Sequence, residues 1–120
     1  MLDHMALGVR DLAASRAFYE AALTPLGFAV VTEFDSAIAF GPPARAIFWI
    51  RTTEPANGIH VAFQADARER VDAFHASGLA SGGKDNGGPG IRLKYHPHYY
   101  AAFVHDPDGN NVEAVCHTPQ

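Results

Sequence analysis

Apolar and small residues alternate from Met5 to Val9, the period-two pattern of a strand, and the run stops at Arg10-Asp11. From Leu12 the period changes to that of a helix. Leu12, Phe18, Tyr19, Ala22 and Leu23 fall on one side of an alanine-rich segment that Asp11 is placed to cap, so this helix should pack on a sheet. Thr24-Pro25-Leu26-Gly27 ends it. Three more strands are predicted over 28–32, 36–40 and 46–52, separated by an acidic turn at Glu33 to Asp35 and by Gly41-Pro42-Pro43. The first half therefore reads β-α-β-β-β.

A connector, Glu54-Pro55-Ala56-Asn57-Gly58, leads to a second alternating strand over 59–65. Asp66, with Glu69 three residues on, reads as a capping-box variant opening a second helix, anchored by Val71 and Phe74 and terminated by Gly78. At an offset of 56 positions (60 − 4) His4 falls on His60, Ala6 on Ala62, Leu7 on Phe63 and Phe18 on Phe74. Alanine content accounts for part of this likeness. What recurs is the order of elements, with a histidine near the start of each unit, as in a duplicated half. The glycine-rich stretch from Ser81 to Gly90 reads as a loop, and the whole segment from Ser81 to His98 as a lid or a connector. Two strands over 99–105 and 111–116 close the chain as a hairpin through the turn Asp106-Pro107-Asp108-Gly109-Asn110. The expected organisation is one domain, 1–120, with halves of about 1–53 and 57–117.

Composition narrows the partners. Hydrophobic residues make up 48% and charged residues 18%, an ordinary globular balance. A net charge of -4 leaves no basic excess for nucleic acid, and no apolar run approaches the roughly 20 residues of a membrane-spanning helix. The single cysteine, Cys116, has no internal partner, and no signal-like segment opens the chain, so a cytoplasmic location is expected.

Candidate chemistry centres on Glu113, which stands inside the last strand, where an unpaired carboxylate facing a core is costly. Three readings are open: it faces solvent, it pairs with a basic residue, or it binds a metal. The residue types favour the third. His4 and His60 occupy equivalent strand-start positions, and a carboxylate completes a two-histidine, one-carboxylate set with coordination positions left for water or substrate.

The run His4-Met5-Ala6-Leu7-Gly8-Val9-Arg10-Asp11-Leu12, followed by Phe18-Tyr19, resembles the opening of glyoxalase, bleomycin-resistance and extradiol dioxygenase proteins, the vicinal oxygen chelate superfamily. Gly58-Ile59-His60-Val61-Ala62-Phe63 is similar to the family's middle histidine motif, and the segment from Tyr100 to Glu113 to its terminal hairpin, whose glutamate is a metal ligand. The resemblance spans essentially the whole chain. It implies an α+β fold of two βαβββ modules forming a curled mixed sheet cup, and one divalent ion (Zn, Ni, Mn or Fe(II)) on His4, His60 and Glu113. It also implies a homodimer, with each site formed either within one chain or between two. The implied activity is a metal-dependent lyase, isomerase or dioxygenase reaction on a small metabolite with adjacent oxygens, in which Glu113 doubles as a base. The alternative is a bleomycin-resistance-type protein that sequesters a small molecule without chemistry.

The chain departs from the lactoylglutathione lyases it resembles, which carry a fourth ligand on the last strand of the first half. Here that strand reads Ala46-Ile47-Phe48-Trp49-Ile50, so Phe48 or Trp49 would wall the pocket instead. After Glu113 the chain also lacks the basic groups of the fosfomycin thiol transferases. Alternation puts Tyr99, Ala101, Phe103 and His105 on one face of the penultimate strand. By analogy with the family's register Phe103 looks into the cup, with Tyr99 at its rim as a hydrogen-bond donor to a metal-bound oxygen. Arg92 is the expected anchor for an anionic substrate group.

Overall fold

A computed structural model describes residues 1–120. The elements are β1 (Met5–Val9), α1 (Leu12–Leu23), a 3-10 turn (Thr24–Leu26), β2 (Ala29–Phe34), β3 (Ala37–Gly41), β4 (Phe48–Thr52), β5 (His60–Gln64), α2 (Arg68–Ala80), β6 (Lys84–Ile91), β7 (Tyr100–His105) and β8 (Asn111–Cys116). They form two separate mixed sheets of four strands, ordered β1-β4-β3-β2 and β5-β8-β7-β6. In each, the first and last strands of the half run parallel and the other neighbours antiparallel. The expected pair of βαβββ modules is present, and the two sheets do not close on each other within the chain.

The alternating pattern decides which face of each strand is buried. Leu7 and Val9 of β1, Phe48 and Ile50 of β4, and Ile38 and Phe40 of β3 turn towards α1, which contributes Phe18, Tyr19, Ala22 and Leu23 to one core cluster. In the second half Phe63, Ala102, Val104, Val112 and Ala114 pack with Val71 and Phe74 of α2. Aromatic rings weld the halves: Phe63 meets Phe48 edge-on with ring centroids 5.4 Å apart and Phe28 at 5.7 Å. The opposite face of each sheet, rich in alanine and glycine, carries no helix.

Asp11 caps α1 as expected, accepting from the Ala14 amide at 3.1 Å. The second helix differs from expectation. It starts at Arg68 with Ala67 at the cap position, so Asp66 lies one residue too early to cap and instead pairs with Arg70 at 2.9 Å. Gly78 does not end it either. The helix runs to Ala80, and Gly78 is a buried position inside it that faces Phe18 and Val104. The expected acidic turn is also shifted, because Glu33 lies within β2 and binds Arg16 at 2.6 Å.

The glycine-rich stretch read as a loop is an eight-residue strand, β6. It is an edge strand, where Gly and Pro cost least because one side of the ladder is unpaired. Two register shifts against β7 accommodate Gly87 and Gly90. His75 of α2 pins β6 through Asp85 at 2.9 Å; that hydrogen bond, aided by one from the Gly87 amide, holds the Asp85 carboxyl below its usual range.

The closing turn is anchored to the core. Tyr19 Oη donates to Asp106 at 2.5 Å, and the other Asp106 oxygen accepts from the amides of Asp108 and Asn110. Asn110 in turn donates to the Ala56 carbonyl and accepts from the Ile59 amide, so helix, connector and turn share one buried network. Burial, then the Asp106 charge and hydrogen bond, push the Tyr19 phenol well above its ordinary value. Tyr19→Phe should cost about 1–3 kcal/mol by denaturant titration. A raised folded-state pKa means this contribution is complete below pH of about 10, where free tyrosine begins to ionise, and declines above it. The variant should accordingly lose less stability than wild type above that pH, and an equal alkaline loss would show that Tyr19 does not carry it.

Candidate functional site

On the open face of the second sheet Ala62 of β5 is opposite Glu113 of β8, and Glu113 opposite Phe103 of β7. His60 pairs with Asn111, two residues before Glu113, so the imidazole and the carboxylate share a face and meet diagonally. His60 Nε2 lies 2.9 Å from Glu113 Oε1. The other oxygen, Oε2, accepts from the Tyr99 hydroxyl. Glu113 is 1% exposed, whereas the His60 side chain is 53% exposed, so the carboxylate is fixed from behind and the imidazole opens outward. Burial, then the Glu113 hydrogen bond and charge, push the Tyr99 phenol up to about 12, which keeps it a neutral donor near pH 7.

Around this centre the Phe103 ring stands 6.4 Å from the His60 ring, and the Arg92 guanidinium lies 5.4 Å from the Phe103 centroid. One Arg92 nitrogen donates to the Gly88 carbonyl at 2.7 Å, a fold-back that Gly87 and Gly90 permit by having no side chains there. Tyr99 is braced by Tyr95, His96 and His117, with His96 Nε2 2.8 Å from His117 Nδ1.

His4 belongs to the other sheet. It lines a cavity of about 590 Å3 with Ala6, Ala37, Trp49, Arg51 and Thr52, none of which comes from the second half. Its Nδ1 is 2.7 Å from the Asp3 carboxylate, which leaves Nε2 as the nitrogen available to a ligand. The registers explain what differs between the sheets. Ala6 pairs with Trp49 as Ala62 pairs with Glu113, and Ala6 and Ala62 are 56 positions apart, as His4 and His60 are. Trp49 thus occupies the position that Glu113 holds in the second half.

The donor set suits a divalent ion in part. Ligand atoms about 2.1 Å from one ion on adjacent octahedral corners lie about 3.0 Å apart, close to the His60 to Glu113 separation. Within one chain no three His, Cys, Asp or Glu side chains converge closely enough to hold an ion. His60 and Glu113 thus offer two donors side by side, with no third such side chain beside them in the same chain.

The family model described as Glyoxalase/Bleomycin resistance protein/Dioxygenase superfamily matches residues 1–114. The chain belongs to that superfamily. A glyoxalase/bleomycin resistance protein from Albidiferax ferrireducens is 35% identical, with 98% of each chain covered and a TM-score of 0.82. At the level of fold alone, a glyoxalase-related enzyme from Fulvimarina pelagi matches at 20% identity, covering 97% of this chain and 87% of that one, with a TM-score of 0.73. A lactoylglutathione lyase from Agrobacterium tumefaciens also matches at 20% identity, over 97% of this chain and 92% of that one, with a TM-score of 0.68. No curated protein matches. Members of the superfamily commonly use a divalent metal, and no helix of this chain is long and apolar enough to cross a membrane.

Set against the superfamily's cup, the chain brings together His60, Glu113, Tyr99, Phe103 and Arg92 on one sheet, and His4 and Trp49 on the other. Two features escaped sequence reading. Arg51 shares a face with Trp49, a relation that the i, i+2 alternation of β4 already contained. The His96 to His117 pair behind Tyr99 joins residues 21 apart and had no local signal.

Proposed function

We propose that the protein is a metal-dependent enzyme of the glyoxalase kind, acting on a small metabolite with adjacent oxygens, at a site completed between two copies of the chain. The observation that carries this reading is a buried carboxylate, Glu113, clamped between the Tyr99 hydroxyl and the half-exposed His60 imidazole. No lysine or arginine pairs with Glu113; its charge is met by an imidazole and a phenol, and the imidazole is a side chain able to share an ion with it.

His60 Nε2 and Glu113 Oε1 would hold the ion from one copy and His4 Nε2 from the second, because the first sheet of one chain is the surface with a histidine to offer to the second sheet of another. A bound divalent ion supplies Lewis acidity to a substrate oxygen. Tyr99 keeps Glu113 Oε2 occupied, so Oε1 is the oxygen that would accept a proton from a substrate carbon or oxygen once displaced from the ion. Phe103 limits water on that side, and Arg92, poised over its ring, faces an anionic group. Sequestration without chemistry is the second reading, favoured by the separation of His4 from the other two side chains within one chain.

The test is Glu113→Gln assayed for bound metal and for turnover of 2-oxoaldehyde thiohemiacetals and of catechols. Wild type should bind about one ion per chain, and the variant should lose at least about tenfold in metal affinity together with any turnover. Turnover retained at normal metal content would remove Glu113 from the chemistry. A wild-type protein that ignores Zn, Ni, Mn and Fe(II) would leave the sequestering reading.

A further inference from the structure

We infer that the cavity over the first sheet is a binding site for a small planar carboxylate, an aromatic or conjugated acid, held by Trp49 and Arg51. This deepens the proposed function and rests on it only in treating the cavity as one wall of that site. The binding itself needs no ion.

The floor of the cavity is made of side chains too small to fill it. Across the sheet, Gly8, Arg51, Ala37 and Phe34 form one register row, and Ala6, Trp49 and Ala39 belong to the next. Ala6, Ala37 and Ala46 beside Arg51 and Trp49 leave both long side chains standing above a depressed surface, and the resulting volume of about 590 Å3 is within the range of small-molecule sites. Trp49 lies parallel to Phe34, with planes 5° apart and centroids 6.3 Å apart. Phe34 is 63% exposed, so this pair presents a flat apolar surface that the chain itself does not cover.

Charge gives the second half of the specificity. Arg51 makes no hydrogen bond or ion pair within the chain, unlike Arg16 and Arg70, which are both salt-bridged. No carboxylate lines the cavity, in a chain whose net charge is -4, and Thr52 and Ser36 add hydroxyl donors. A guanidinium with a free planar fork beside an aromatic plate selects a ligand that is both anionic and flat. Arg92 is less suited to the role, since it is already engaged with Gly88 and Phe103 on the other sheet.

Trp49 is the only tryptophan, so intrinsic fluorescence reads the cavity directly. The experiment titrates protein stripped of metal by a chelator with benzoate, with benzamide as the uncharged isostere and acetate as the charge without the ring. Benzoate should quench saturably and bind about tenfold or more tighter than either control, and Arg51→Gln should abolish the preference for benzoate over benzamide while leaving benzamide unchanged. Equal affinities for benzoate and benzamide, or an Arg51→Gln protein that keeps the preference, would overturn the inference. So would benzoate binding that appears only after metal is restored, an outcome that would leave the metal reading intact. Preference for benzoate that persists in Glu113→Gln, in a protein that takes up no metal in either form, would uphold this inference while the metal reading fails.

Discussion

His4→Ala and Glu113→Gln chains, each binding no metal alone, should regain about a quarter of the wild-type metal sites when unfolded and refolded together in equal amounts. Random pairing makes half the dimers mixed, and each mixed dimer has one site with all three ligands intact and one site with two ligands missing. The expectation follows from the placement of His4 in the cavity of the first sheet, whereas His60 and Glu113 meet on the second. If the three ligands met inside one chain, every chain in the mixture would still lack one of them. Metal analysis of the refolded mixture decides between the two: zero recovery with dimers present would sink the shared site.

Trp49→Glu should tighten Zn binding by about ten- to a hundredfold, the span that even outer-shell partners of a metal command. The register puts residue 49 where Glu113 stands in the other half, so the substitution restores the symmetry of the two sheets and offers a fourth ligand. The loss of the Phe34 stack costs about 0.5–1.5 kcal/mol, small beside the stability of a domain. Competition against a chromogenic chelator measures the change. Unchanged affinity in a folded variant would show that position 49 does not face the ion.

The order of elements was legible because period-two and period-3.6 patterns are local: Met5–Val9, Leu12–Leu23 and Asn111–Cys116 lie where the alternation puts them. The glycines of β6 were not, since glycine carries no periodic signal and the edge strand is held by β7, by Asp85 and by its own neighbours' needs. At the site, the diagonal contact of His60 and Glu113 depends on a parallel register between residues 53 apart, which spacing alone does not fix. The histidine pair and the carboxylate were visible as residue types, and their division between two sheets was not. That division depends on how the halves pack, through Phe48 and Phe63, rather than on any motif.

The two sheets each end in an irregular outer strand: β2 slips register between Val30 and Thr32, and β6 does so on either side of Gly87. A regular ladder of free amides and carbonyls invites further chains to add on, and kinks in it remove the template. Growth along the hydrogen-bonding direction is thereby discouraged at the β2 and β6 edges, so any further strand that crowding adds should dock on the regular β1 and β5 sides instead.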